Sequence, residues 1–78
     1  RSVYLGIHPR EEAGKLVIER IELESPAARA GLAKEDVLLE VGGAKIEKTG
    51  DYTRALLRAS AGEKLAIAVQ RGGKREVR

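Results

Sequence analysis

Conventional catalytic chemistry has little to work with in this sequence. Hydrolysis or group transfer needs a nucleophile with a base in reach, an acid–base pair, or a metal. The chain has one histidine, His8, and no cysteine. Ser2, Ser25 and Ser60 stand in no nucleophile motif, and Ser25 has another use as a helix cap. One His without Cys does not make a typical zinc site. Neither Gly42-Gly43 nor Gly72-Gly73 carries the Gly-Lys-Ser/Thr signature of a phosphate loop. The expectation is a non-catalytic chain with no cofactor, no metal and no catalytic residue. What remains is main-chain chemistry, and one short segment stands out for it: Tyr4-Leu5-Gly6-Ile7, an apolar turn around a glycine.

The elements that must position that turn follow from spacing and turn chemistry. Residues 3–8 are extended, and Pro9 removes a backbone donor, so a strand is expected to end there. Residues 10–14 form a charged loop. Leu16-Val17-Ile18 and Ile21-Glu22-Leu23 suit a strand. The apolar spacing slips by one between Ile18 and Ile21, and a bulge would restore the inward face. Ser25 caps a short helix, Pro26 fits its first position, and Gly31 closes it in the left-handed region. Residues 36–41 are a buried strand, turned by Gly42-Gly43. A longer helix is expected over residues 51–59, with Thr49 or Asp51 as its cap and Gly62 at its end. Tyr52, Ala55, Leu56 and Ala59 share its apolar face. Thr53 and Ser60 flank that stripe, as does Thr49 if the helix extends to it. Leu65, Ile67 and Val69 alternate as a strand, and Gly72-Gly73 turns the chain into a last strand at residues 74–78. The order strand, strand, helix, two strands, helix, two strands makes an α+β domain. Its small, curled antiparallel sheet, or partly open barrel, has five to six strands and two helices.

Size and composition narrow the partners. Seventy-eight residues make one domain at most, and the abrupt start and basic end suggest a module excised from a longer protein. The apolar residues are aliphatic, with Tyr4 and Tyr52 as the two aromatics, which excludes a stacking platform for single-stranded nucleic acid. The net charge is +3. The tail carries Lys64, Arg71, Lys74, Arg75 and Arg78 against Glu76, a pattern that blunts a sheet edge. Elsewhere the two signs alternate, so neither a nucleic acid nor a membrane is expected as partner.

Four ordered segments together resemble a PDZ domain of the bacterial, protease-associated kind, as in HtrA-like and C-terminal-processing proteases. They are Tyr4-Leu5-Gly6-Ile7, Ser25-Pro26-Ala27 with Ala30-Gly31-Leu32, residues 36–43 ending in Gly42-Gly43, and the closing hairpin from Lys64-Leu65 through Arg71-Gly72-Gly73-Lys74. The resemblance covers essentially the whole chain. It implies a circularly permuted strand order in which residues 74–78 do the work of the missing first strand. The sequence departs from the family at Glu35, commonly glycine, at Gly42, commonly Asn or Asp, and at Ala61, often proline.

The resemblance implies a peptide-binding module. Leu5, Gly6 and Ile7 would offer successive N–H groups to a ligand carboxylate, a nest of positive partial charge. Gly6 would lack a side chain so that the carboxylate can approach. An extended peptide would then add to the edge at residues 6–8, facing the helix of residues 51–59. Leu5, Ile7 and Leu56 would line an apolar pocket for the last ligand residue, expected to be aliphatic and small to medium. Thr53 and Thr49 would face the ligand further back, with Ser60 or Leu57 at the margin. Tyr4 belongs to the loop, and His8 would touch a ligand side chain. The implied partners are C-terminal or extended peptides and the catalytic domain of a parent protease, of serine or metallopeptidase type. The implied location is the periplasm or cell envelope. Two alternatives carry different ligands: a scaffold of the same fold that binds internal strands in an envelope or secretion assembly, and a basic surface binder of nucleic acid or membrane.

Overall fold

The computed structural model describes residues 4–59 and 65–78. Its elements are β1 (Ile7–Glu12), β2 (Lys15–Ile21), α1 (Pro26–Arg29), β3 (Val37–Val41), β4 (Ala44–Lys45), α2 (Thr49–Arg58), β5 (Ile67–Arg71) and β6 (Lys74–Val77). This is the expected order. The strands form one antiparallel sheet in the order β1-β2-β3-β5-β6, with β4 also paired to β3. β1 and β6 end that path, and the two-residue β4 is a further edge.

Three two-residue turns set the register. Gly42-Gly43 and Gly72-Gly73 have positive φ at both positions, the twist that joins antiparallel strands without splaying them. The third turn corrects the sequence reading. Ala13 (φ +51°) and Gly14 (φ +77°) make the same turn between Glu12 and Lys15. Residues 10–12 are therefore strand, not loop, and Pro9 does not end β1. The bulge lies where the spacing slips: His8 faces Arg20 and Pro9 faces Ile18, leaving Glu19 as the extra residue of β2. Beyond Ile21 the chain leaves the sheet, and Leu23 is almost fully exposed.

Leu16, Ile18, Leu38, Val41 and Val69 are the fully buried centre. Leu5, Ile7, Ala27, Leu32, Ile46, Tyr52, Ala55 and Ile67 complete the core around them. Tyr52 and Ala55 come from α2, which therefore lies over the sheet with its alanine and tyrosine stripe inward. Burial pushes the Tyr52 phenol up to about 12.

The helices begin as their residues dictate. Ser25 Oγ accepts from Ala28 N–H at 3.2 Å, and Gly31 follows α1 with φ +88°. α2 starts earlier than expected, and neither Thr49 nor Asp51 sits at the cap position. Lys48 holds it in an extended conformation, and Thr49 is already helical. Asp51 reaches back from the first turn, its Oδ2 accepting from Glu47 N–H at 3.0 Å and Lys48 N–H at 3.1 Å. Those two amides hold the Asp51 carboxyl below its usual range. The sequence end expected for α2 at Gly62 lies outside the described residues.

Two ion pairs brace the far side. Asp36 is 2% exposed. It takes Arg71 Nε on Oδ1 at 2.8 Å and an Arg71 terminal nitrogen on Oδ2 at 2.6 Å, with Ala33 N–H adding 3.0 Å. Arg71 also donates to the Gly31 carbonyl at 2.9 Å. Glu35 adopts a positive φ of +75°, a region that favours glycine. Its carboxylate takes both terminal nitrogens of Arg10, at 3.2 and 2.9 Å, which holds its pKa low. The Arg10 pair thus braces the turn before Asp36.

Candidate functional site

The site is built from the segment before β1, from β1 itself and from α2. Gly6 has φ +83°, so the chain turns sharply just before the strand. Two hydrogen bonds anchor that turn: Ala27 N–H donates to the Leu5 carbonyl at 3.0 Å, and Glu22 N–H donates to the Gly6 carbonyl at 2.9 Å. The carbonyls of the turn are thus taken from behind. Among the described residues, no acceptor pairs with the N–H of Leu5 or Gly6.

The glycine has a structural reason that the sequence reading did not contain. A Cβ on Gly6 would lie 2.4 Å from Ser25 Cβ and 2.8 Å from Ser25 Oγ. The turn is pressed against the N-cap of α1, so the space is closed from inside the protein, independently of any ligand. The Tyr4 hydroxyl lies 3.2 Å from the same point, which places the phenol over the turn while most of the side chain stays in solvent.

The edge exposes main-chain groups. With Glu22 N–H bonded to the Gly6 carbonyl, Ile7 and Ile21 form a non-hydrogen-bonded pair. The N–H and C=O of Ile7 therefore point away from β2. No described strand pairs with β1 on that side, and α2 packs against β1. At the far end the Glu11 carboxylate accepts from Thr49 N–H at 3.0 Å, joining strand to helix. That amide and the Thr49 hydroxyl hold the Glu11 carboxyl below its usual range.

The side chains named from the sequence fall into three groups. Leu5 and Ile7 are each 8% exposed, and Leu56 is half-buried against the same cluster. Thr49, Thr53 and Leu57 are exposed on α2, as Tyr4 is on the turn. The Thr49 N–H is taken by Glu11. His8 points to the outer face of β1, beside the Glu22 carboxylate, and Arg20 pairs with that carboxylate at 3.2 Å. The bond from His8, followed by the Arg20 charge, lowers the Glu22 pKa. Ser60 lies outside the described residues. Among the described residues no group of His, Asp or Glu is arranged to hold a metal ion, and no described helix is long and apolar enough to cross a membrane.

Glu11 and Ser25 are the site residues that sequence reasoning missed as such. For Glu11 the available signal was alternation: once β1 is continued through Pro9, residues 7, 9 and 11 share one face.

Comparison with known proteins identifies the family and the fold. The PDZ domain family profile matches residues 3–77. The serine protease HhoB of Synechocystis sp. is 44% identical over 63 residues, covering 81% of this chain and 15% of that protein. A DegP-like periplasmic serine endoprotease of Bartonella henselae is 34% identical over 67 residues, 86% of this chain and 13% of that protein. The zinc metalloprotease mll0638 of Mesorhizobium japonicum is 36% identical over 73 residues, 94% and 19% respectively. The chain thus spans less than a fifth of each of these relatives. In structure it resembles the HtrA-type protease AlgW solved with a decapeptide. The TM-score is 0.88 at 22% identity, over 95% of this chain and 26% of that one.

Proposed function

The chain belongs to the PDZ domain family, non-catalytic peptide-binding modules found in HtrA-like proteases, and on that premise we propose that it captures the C-terminal tail of another polypeptide for an attached protease. The observation that carries the reading is the edge itself. Ile7 presents an outward N–H and C=O immediately after a glycine turn whose carbonyls are tied back, with α2 packed against β1. A ligand carboxylate sits on the amides of Leu5, Gly6 and Ile7, and the last side chain rests on Leu5, Ile7 and Leu56. The rest of the ligand adds to β1 as a further strand. Thr53, Leu57 and Ser60 border that path on the helix side, and His8 on the outer side.

The parent is proposed to be an extracytoplasmic serine protease of the HtrA and DegP kind, on the strength of the HhoB and DegP-like relatives, with a metalloprotease parent as the alternative that the mll0638 relative supports. The domain is its substrate-recruiting or regulatory part. The HtrA3 PDZ domain solved with a phage-derived ligand, similar in fold at a TM-score of 0.80 and 20% identity, supports the same use of the fold.

Amidating a ligand's C-terminus tests the carboxylate site. Amidation removes the charge that makes these hydrogen bonds strong, so an amidated peptide is expected to bind roughly tenfold or more weakly than its free acid. Titration of a peptide library with randomised last residues, in free and amidated forms, reads this directly. Equal affinity for the two forms would exclude the carboxylate site and point instead to binding of internal strands.

A further inference from the structure

The alternation along β1 determines how much of a ligand's main chain this edge can hold, and it can be counted from both ends. From the start, Ile7 faces outward, so His8 faces β2 and residue 9 faces outward again. From the other end, the two-residue turn at Ala13-Gly14 makes Glu12 and Lys15 a hydrogen-bonded pair. Glu11 then faces outward, Arg10 faces β2, and residue 9 again faces outward. The two counts agree because the extra residue of the bulge, Glu19, is in β2 and not in β1. Ile18, opposite residue 9, sends its own N–H and C=O to the other side, bonding to Asp36 and Glu35.

Residue 9 is proline. Its missing N–H costs nothing toward β2, which is why the strand runs through it. On the outward side the same absence removes a donor from the edge. Two residues farther on, the Glu11–Thr49 bond already spans from β1 to α2.

We propose that Pro9 interrupts the strand-addition ladder at the third residue from a ligand's C-terminus, so that this domain recognises a short tail. The inference rests on the peptide-capture reading above. A ligand with its carboxylate at Gly6 runs antiparallel to β1. Its last residue pairs with Ile7. Pairing recurs every second residue in an antiparallel ladder, so the third-from-last residue comes opposite Pro9. The N–H of that residue meets the Pro9 carbonyl, but its own carbonyl meets no donor and stays in water. Residues farther upstream approach the point where Glu11 holds the helix. Affinity is therefore concentrated in the carboxylate and the last three residues.

The test uses an acetylated hexapeptide of five alanines and a C-terminal valine with a free carboxylate. Its partner is an analogue whose amide between the third-from-last and penultimate residues is an ester. The ester weakens the carbonyl in question, and the N–H it deletes points away from β1. By calorimetry, the wild-type chain is expected to bind the two within twofold of each other. It is also expected to gain less than threefold between the acetylated tripeptide and the hexapeptide. Pro9→Ala, which restores a donor, is expected to bind the hexapeptide roughly three- to tenfold tighter and to lose that gain with the ester. An ester penalty above twofold in the wild type would overturn the inference while leaving peptide capture standing, and so would a length gain above threefold. Neither readout depends on the variant folding. If the wild type binds no free-carboxylate peptide even at millimolar concentration, the peptide-capture reading fails and this inference fails with it.

Discussion

Gly6→Ala is expected to destabilise the domain by about 2–5 kcal/mol and to abolish peptide binding. Two separate costs add. An alanine held at φ +83° sits in the left-handed region at a cost of about 1–2 kcal/mol. Its methyl would also arrive 2.4 Å from Ser25 Cβ. Relieving such overpacking typically costs about 1–3 kcal/mol. A domain of this size has a total stability of only about 4–12 kcal/mol, so the variant is left marginal. Whatever native chain remains must move the turn away from α1, and the amides of Leu5, Gly6 and Ile7 move with it. Urea denaturation measures the first effect and peptide titration the second. The two costs are separable. Ser25→Gly removes the atoms that the new methyl meets but leaves φ unchanged. In the Gly6→Ala background it should recover part of the lost stability, although alone it weakens the α1 cap. A Gly6→Ala chain within about 0.5 kcal/mol of wild type would show that the turn is not pressed against Ser25.

Arg71→Met is expected to lower stability at neutral pH, and most of that loss should vanish in acid. Removing one partner of a buried pair leaves the other charge uncompensated. The loss is reduced here because the Arg71 side chain is 35% exposed and water can take part of its place. The pH dependence follows from Asp36. Burial alone pushes its carboxyl upward, but the Arg71 pair and the Ala33 amide outweigh burial and hold the pKa below the ordinary value. A depressed native pKa contributes stability above the unfolded value of about 3.9, lost as pH falls through the native pKa. Without Arg71, burial dominates and the sign reverses: Asp36 then favours folding when protonated. The difference between variant and wild type should be largest near pH 7 and should shrink below about pH 4. Chemical denaturation at the two pH values checks this, and a constant difference would show that Asp36 and Arg71 are not coupled as described.

What could be foreseen and what could not divides along the range of the interactions. The order of all eight elements was visible because each is announced locally. Ser25-Pro26, Gly31, Gly42-Gly43 and Gly72-Gly73 punctuate the chain, and the apolar period changes between them. The bulge was visible too, as a one-residue slip in spacing. The course of β1 was not. A proline ends a strand or is tolerated according to which side its missing N–H faces, and that is settled by pairing with β2. Ala13, the residue that carries the hairpin turn, is an uncommon choice for φ above zero. The partnerships of Gly6 with Ser25, Glu11 with Thr49 and Asp36 with Arg71 join residues far apart in the chain. Gly6 was seen as the turn and Ser25 as a cap, but these meetings are a property of the packed fold. The start of α2 was misplaced by a smaller effect: Asp51 serves the helix from inside its first turn, a role that composition does not distinguish from that of a cap.

The placement of the two phenols gives the domain an optical handle of its own. The sequence has no tryptophan, so ultraviolet emission comes from Tyr4 and Tyr52 without energy loss to an indole. Tyr52 is sealed beneath α2, whereas Tyr4 stands in solvent over the glycine turn. A soluble quencher such as iodide reaches the second far more readily than the first. Occupancy of the turn should therefore register as a change in quenching, without any label attached to protein or peptide.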